Sequence, residues 1–396
     1  MRKSNYAALS VALAVSVYTV VLGIIYPYLS VNLSELGAPA NLIGINASMV
    51  PIGLLIASVT YRHFLTIMSP FQIAVSAILI SACILVLIFF FERIDNFDIL
   101  LLFWIPLCIS LGFTVNGLFI IGEAWINRLA SNEMRGRILG LYTTALIAGY
   151  GVGPLFIGLL GHDGLRISVA SIVIILFALL PMIVFRKKLQ GVEFKSENRN
   201  GASSVSNLSF ARRNFLIVLC FASIAIFDNG AVSFMPLYFS DVGLDIQLAN
   251  QYLALVIFGG AAFQPLVGFI ADKVSNGAVI LVSSLMTLAI AFVVYIDLLP
   301  QYISVLLVLW GGFAFSNYTM ALKELGDRYD DESLVVGSAV LAMTWSLVTI
   351  AGLPLIGIGV DIFGFSAFPF LLCTIYPIAM IVILTRIVSA SQQSTR

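Results

Sequence analysis

The sequence predicts an all-α membrane protein in which twelve transmembrane helices form two six-helix bundles. Three observations carry that expectation: a composition too apolar for water, twelve separated apolar runs, and one long polar segment near mid-chain. Of the 396 residues, 60% are hydrophobic and 10% are charged, and the mean hydropathy is +1.06, whereas a soluble domain carries about a quarter charged residues.

A spanning helix needs about 20 predominantly apolar residues. Such windows fall at 6–33, 41–61, 69–91, 98–126, 136–160, 165–185, 213–239, 248–271, 277–298, 301–326, 334–359 and 363–386. The first holds Tyr18 and Pro27 and lacks a small-residue cleavage site, so it reads as a retained helix and not as a removable signal peptide. The fifth contains AGYGVGPLFIG, Ala148 to Gly158, a string of breakers costing about 1 kcal/mol per glycine and about 3 per proline in a water-exposed helix. In a bilayer, glycine permits close helix approach, and neighbouring helices satisfy the backbone groups that proline leaves unpaired.

Between the sixth and seventh windows lies RKKLQGVEFKSENRNGASSVSNLSFARR, Arg186 to Arg213, the only long polar segment. It divides the chain into an N-terminal bundle at 1–185, a flexible cytoplasmic linker with an amphipathic portion at 186–212, and a C-terminal bundle at 213–396. With Arg2 and Lys3 inside, eighteen of twenty Lys and Arg share the inner face and only Arg93 and Arg166 lie outside, which makes both termini cytoplasmic. A missed or invented helix would move every later positive charge to the other side, so this bias supports the count of twelve independently. At a constant offset of 201, Asn116 meets Asn317, Glu123 meets Glu324, Gly136 meets Gly337, Thr143 meets Thr344, Gly151 meets Gly352 and Gly158 meets Gly359, while Pro154 and Pro354 miss by one. The expectation is an internal repeat, two similar six-helix halves related by an axis along the membrane normal, with a site where they meet.

The twelve helices, the six-plus-six division and the basic central loop resemble the major facilitator superfamily over essentially the whole chain. GFIADKVSNG, between the eighth and ninth helices, is similar to the family's glycine, acidic, basic loop signature at Gly268, Asp272, Lys273 and Gly277. The fifth-helix string, through Gly149, Gly153, Pro154 and Gly158, resembles the motif of the family's proton-coupled antiporters. GEAWINRLASNEMRGRILGLY, Gly122 to Tyr142, is similar to a stretch in small bacterial members of the YcaD branch. One departure stands out: SVTYRHFLTIMSP, where a first acidic signature belongs, has Arg62 and His63 but no Asp or Glu. The resemblance implies a fifth helix packed on a helix of the opposite half, the eighth with its Gly259, Gly260 and Gly268 being the expected partner. It also implies an inner gate in which Asp272 pairs with Arg135 or Arg137 in one conformation only; a solvated loop charge pair is the alternative.

Asp228 lies near the bilayer centre in FASIAIFDNGAVSFMPLYF. A carboxylate there costs about 2.5–3.5 kcal/mol on insertion scales, so it is expected to face a cavity or partner and to mark a substrate or proton path. The alternative is a structural group beside a helix break capped by Asn229 and Gly230. Glu123 and its repeat mate Glu324, which adjoins Lys323, suit an inner-gate network with Arg128, Arg135 and Arg137, or simple interfacial placement. Asn116 and Asn317 are candidates for hydrogen bonding a ligand or a neighbouring helix. Around them Tyr18, Tyr26, Asn46, Tyr142, Tyr150, Tyr252, Gln264, Tyr318 and Trp345 offer the aromatic, sparsely polar lining that suits an amphiphile.

Cys83, Cys108, Cys220 and Cys373 all sit in apolar runs and read as small hydrophobes, not as a disulfide framework or metal site. The two histidines, His63 and His162, fall in loops, and no nucleotide-binding loop or metal cluster occurs, so no enzyme activity, cofactor or metal is expected. Zero formal net charge argues against nucleic acid as a partner. The leading expectation is a monomeric secondary transporter of a bacterial inner membrane, exporting a small amphiphilic compound in exchange for protons. Symport or uniport of a nutrient is the alternative on the same fold, and a non-transporting receptor is the second class.

Overall fold

The computed structural model describes residues 3–129, 135–161, 163–192, 207–329 and 331–394. Among them, twelve helices are long and apolar enough to cross a membrane: Asn5–Glu35, Ala40–Tyr61, Pro70–Phe91, Phe97–Ile126, Leu141–Leu160, Gly164–Val184, Phe215–Asp241, Ile246–Ala271, Asn276–Tyr295, Pro300–Arg328, Gly337–Phe363 and Phe365–Thr385. They are called the first to twelfth spans below. Each matches an expected window, because a continuous apolar run in lipid can satisfy its backbone groups only as a helix.

Three local departures have physical causes. The stretch between the second and third spans is largely helical, since the second helix runs through to Ile67. Only Met68 and Ser69 separate it from the third, where Ser69 and Gln72 form a reciprocal capping box. The sixth span breaks at Ala178 into Gly164–Phe177 and Leu179–Val184, as Pro181 lacks the N–H that would bond the Phe177 carbonyl. The twelfth likewise breaks after Phe368–Leu372 and resumes at Tyr376–Ser394, with Pro377 unable to donate to Cys373. Of the linker, residues 193–206 lie outside the described residues; its ends are short helices at Arg186–Gln190 and Asn207–Arg213.

Packing gathers the described chain into two units, one made of 3–192 with Val232–Ala254 and the other of 207–231 with 255–394. In the first unit, the first span packs on the fourth, fifth and sixth, and the fourth also packs on the second and third. A buried polar tie fixes this arrangement: the Tyr18 hydroxyl donates to Ser81 Oγ and to the Ala77 carbonyl, and Ser81 and Thr114 hydroxyls lie 2.6 Å apart, joining the first, third and fourth spans. In the second unit, the ninth span packs on the tenth and twelfth, and Phe210, Ile217, Phe221, Met320, Leu341 and Ile383 belong to one apolar cluster.

Helix crossings explain the breakers in the fifth span. Its Gly153 lies against Gly23 of the first span, where an added Cβ would stand 2.6 Å from both the Gly23 Cα and the Ile24 nitrogen. Reciprocally, a Cβ on Gly23 would fall on the Tyr150 carbonyl oxygen. Pro154 has no N–H to offer that oxygen, and glycine at position 23 lets the two backbones approach there. Close backbone crossings recur within each unit: Gly53 faces Ile109 and Gly112 faces Val50 where the second and fourth spans cross, and Gly259 faces Val308 and Gly311 faces Val256 where the eighth and tenth cross.

The fifth-helix motif divides between two partners, the first span and the expected eighth. Gly149 faces Ser16 and Thr19, and Gly153 faces Gly23, all on the first span, while a Cβ on Gly158 would stand 2.9 Å from Gln251 Cγ on the eighth. Gly259 and Gly260 face Val308 and Phe315 of the tenth span, and Gly268 has open space where a Cβ would be. Close approach is required where two backbones cross, and in these units the first and tenth spans supply the crossing partners.

Candidate functional site

Asp228 is the middle residue of the 27-residue helix Phe215–Asp241, in the most buried of the twelve spans. The helix passes through it unbroken, and Asn229 folds back to donate to the Ala225 carbonyl at 2.9 Å, so the expected alternative of a capped break does not hold. Asp228 is 9% exposed. The neighbouring Phe227 is enclosed edge-on by Trp310 and Tyr376 at 5.4 and 6.3 Å between ring centroids. Among the described residues no hydrogen bond or ion pair within the unit closes on the Asp228 carboxylate. A buried acid without an internal partner is disposed to hold a proton or a cationic ligand group, because an isolated charge in this setting is costly.

One turn along the same helix, a second polar centre is fully satisfied. Asn317, wholly buried in the tenth span, donates to Ser223 Oγ at 3.0 Å and Ser284 Oγ at 3.3 Å and accepts from Ser283 Oγ at 3.2 Å. It thereby ties the seventh, ninth and tenth spans together. Asn116 is used differently despite its matching repeat position: partly exposed, it donates to the Leu54 carbonyl at 2.7 Å and to Ser58 Oγ at 2.9 Å on the second span. Of the two, Asn317 has its capacity filled by helix packing.

The remaining lining candidates divide by unit. In the first, Tyr26 and Tyr150 meet edge-on with centroids 6.4 Å apart. In the second, Trp345 and Tyr318 both contact the Phe221 ring. Gln264 accepts from Thr319 Oγ1 at 2.6 Å while its amide nitrogen, buried, has no acceptor among the described residues.

The gating candidates lie near helix ends. Asp272 and Lys273 are exposed in the turn after Ala271, and Lys273 sits 4.0 Å over the Phe269 ring. Gly268 belongs to the eighth helix and Gly277 to the first turn of the ninth, and neither is crowded. Glu123 accepts from the Tyr142 hydroxyl at 3.2 Å. Glu324 accepts from Asn276 at 2.6 Å and pairs with Arg328, while Lys323 pairs with Asp327 at 2.8 Å. The side chains of Arg135 and Arg137, expected in the gate, lie outside the described residues.

Sequence reasoning passed over Ser223, Ser283 and Ser284, Tyr376, Thr319 and Asn276. The serines had a signal, an adjacent pair in an otherwise apolar span, yet hydroxyls that bond back to their own helix are common enough in membranes to hide it.

Twelve helices of this length and apolarity define a multi-pass membrane protein. The chain belongs to the Major Facilitator Superfamily, whose model matches residues 11–353. It is 23% identical over 341 residues to the uncharacterized MFS-type transporter YfkF of Bacillus subtilis, covering 83% of this chain and 82% of that one. It is also 21% identical over 237 residues to the uncharacterized MFS-type transporter YcaD of Escherichia fergusonii, 59% of each. In fold it resembles the nucleoside transporter NupG (TM-score 0.72, 14% identity, 96% of this chain and 98% of that). A D-xylose–proton symporter is similarly close (TM-score 0.69, 15% identity, 96% of each chain).

Proposed function

We propose that this protein is a proton-coupled secondary transporter of a bacterial inner membrane, working by alternating access and exporting a small amphiphilic compound in exchange for protons. Asp228 is the coupling acid. The observation that carries this reading is the carboxylate itself, buried at mid-span without an internal partner. Substrate and proton compete for it, so loading from one face releases a proton toward that face. The division at 1–185, 186–212 and 213–396, the monomeric state and the cytoplasmic termini belong to the same proposal. Tyr26, Tyr150, Gln264 and Trp345 furnish aromatic and amide surface for the amphiphile, and Asp272, Lys273 and Glu123 act at the inner gate. The likeness to a proton symporter of a sugar favours proton-linked uptake as the second reading.

The test is proton movement in proteoliposomes carrying a pH-sensitive dye, with amphiphilic cations, neutral drugs, sugars and nucleosides added in turn. Wild-type protein is expected to move protons with a substrate, and Asp228→Asn to lose that flux by at least about tenfold, the effect of about 1.4 kcal/mol or more in the coupled step. Proton flux opposite in direction to substrate supports export by exchange, and flux in the same direction supports uptake. Retained coupling in Asp228→Asn overturns the role of the acid.

A further inference from the structure

A cavity of about 500 Å³ opens at one end of the first unit, lined by Tyr6 and Ser10 of the first span and by Val184, Phe185, Lys187 and Lys188 at and beyond the end of the sixth. Its shape follows from the chain. Phe185 leaves helical geometry at φ −100° and ψ 13°, and the short helix Arg186–Gln190 follows. Leu189 of that helix is 1% exposed, which pins the turn against the bundle and holds the two lysines at the cavity.

Among the described residues no carboxylate lines the cavity, and neither Lys187 nor Lys188 has an ion-pair partner. Arg186, by contrast, points elsewhere and lies 5.8 Å over the Phe71 ring. Two ammonium groups, the Tyr6 phenol and the Ser10 hydroxyl supply donors for an anion, while Val184 at 73% exposure and Tyr6 at 48% leave apolar surface beside it. A soluble anion has no use for that flank. A phospholipid does, since its acyl chains lie along apolar helix faces at the level where its phosphate meets basic side chains.

We propose that this cavity binds the headgroup of an anionic glycerophospholipid, with the phosphodiester at Lys187 and Lys188. It lies in the leaflet that the Lys and Arg bias makes cytoplasmic. The site is separate from Asp228 and does not depend on what is transported.

The test uses the purified full chain in neutral detergent, titrated with dioleoylphosphatidylglycerol, dioleoylphosphatidylcholine or inorganic phosphate, with bound lipid counted by native mass spectrometry. Wild-type protein is expected to retain phosphatidylglycerol in preference to phosphatidylcholine. The double variant Lys187→Gln, Lys188→Gln loses that preference by roughly tenfold or more, as expected for two surface lysines, while its melting temperature without lipid stays at the wild-type value. An unchanged preference in a folded double variant overturns the site. Inorganic phosphate displacing phosphatidylglycerol at equal concentration overturns the lipid assignment. Should the double variant fail to fold, Ser10→Ala with Lys187→Gln gives the same reading.

Discussion

Gly153→Leu yields no monodisperse protein, whereas Gly268→Leu, a substitution of the same size in another glycine-bearing motif, folds at the wild-type level. The difference lies in what each new Cβ meets. At Gly153 it stands 2.6 Å from the backbone of Gly23 and Ile24, atoms that cannot rotate away. Relief requires the first and fifth spans to part, which separates the Tyr26 and Tyr150 rings. Overpacking costs typically about 1–3 kcal/mol where side chains yield, and a backbone obstacle lies at or beyond the upper end. At Gly268 no atom stands within 4 Å, so leucine enters open space. Gly158→Leu falls between them, because its obstacle is mainly the flexible Gln251 side chain at 2.9 Å. Size-exclusion profiles of fluorescent fusions rank the three. Folded Gly153→Leu at wild-type yield would show that the crossing is looser than the geometry states.

Span count and span limits were legible because they depend on length and hydropathy, which a sequence displays directly. Partners were not. AGYGVGPLFIG announces a close crossing, but the glycine that completes it, Gly23, stands alone among large residues in the first span, and nothing local marks it as the mate of Gly153. The repeat shows the same limit. It aligns Asn116 with Asn317 as polar residues of the fourth and tenth spans, yet one reaches sideways to the second span and the other is enclosed by three serines. A repeat preserves backbone position, while side-chain direction depends on neighbours that differ between the halves. Asp228 was legible for a different reason: a charge at mid-span is rare enough to announce itself, and its cost is a property of depth alone.

Asn317→Ala should lower stability by about 2 kcal/mol, from three interhelical hydrogen bonds at about 0.6 kcal/mol each, and Asn116→Ala by about half as much or less. The first substitution removes two donated bonds and one accepted bond from a fully buried site, leaving Ser223, Ser283 and Ser284 without that partner. Two of those serines gain from bonds to their own helix, Ser223 to the Cys220 carbonyl at 2.7 Å and Ser283 to the Ile280 carbonyl at 3.2 Å, which limits the loss. The second substitution removes bonds from a partly exposed residue, and Ser58 retains its own bond to the Leu54 carbonyl at 2.9 Å. Apparent melting temperatures in one detergent measure both. Transport separates structure from ligand binding at the same time: a packing role for Asn317 predicts that the surviving folded fraction binds substrate as wild type does. If Asn317→Ala melted like wild type but lost substrate, the asparagine would belong to the ligand site, and the serine cage would be the resting state of a residue that turns toward its load.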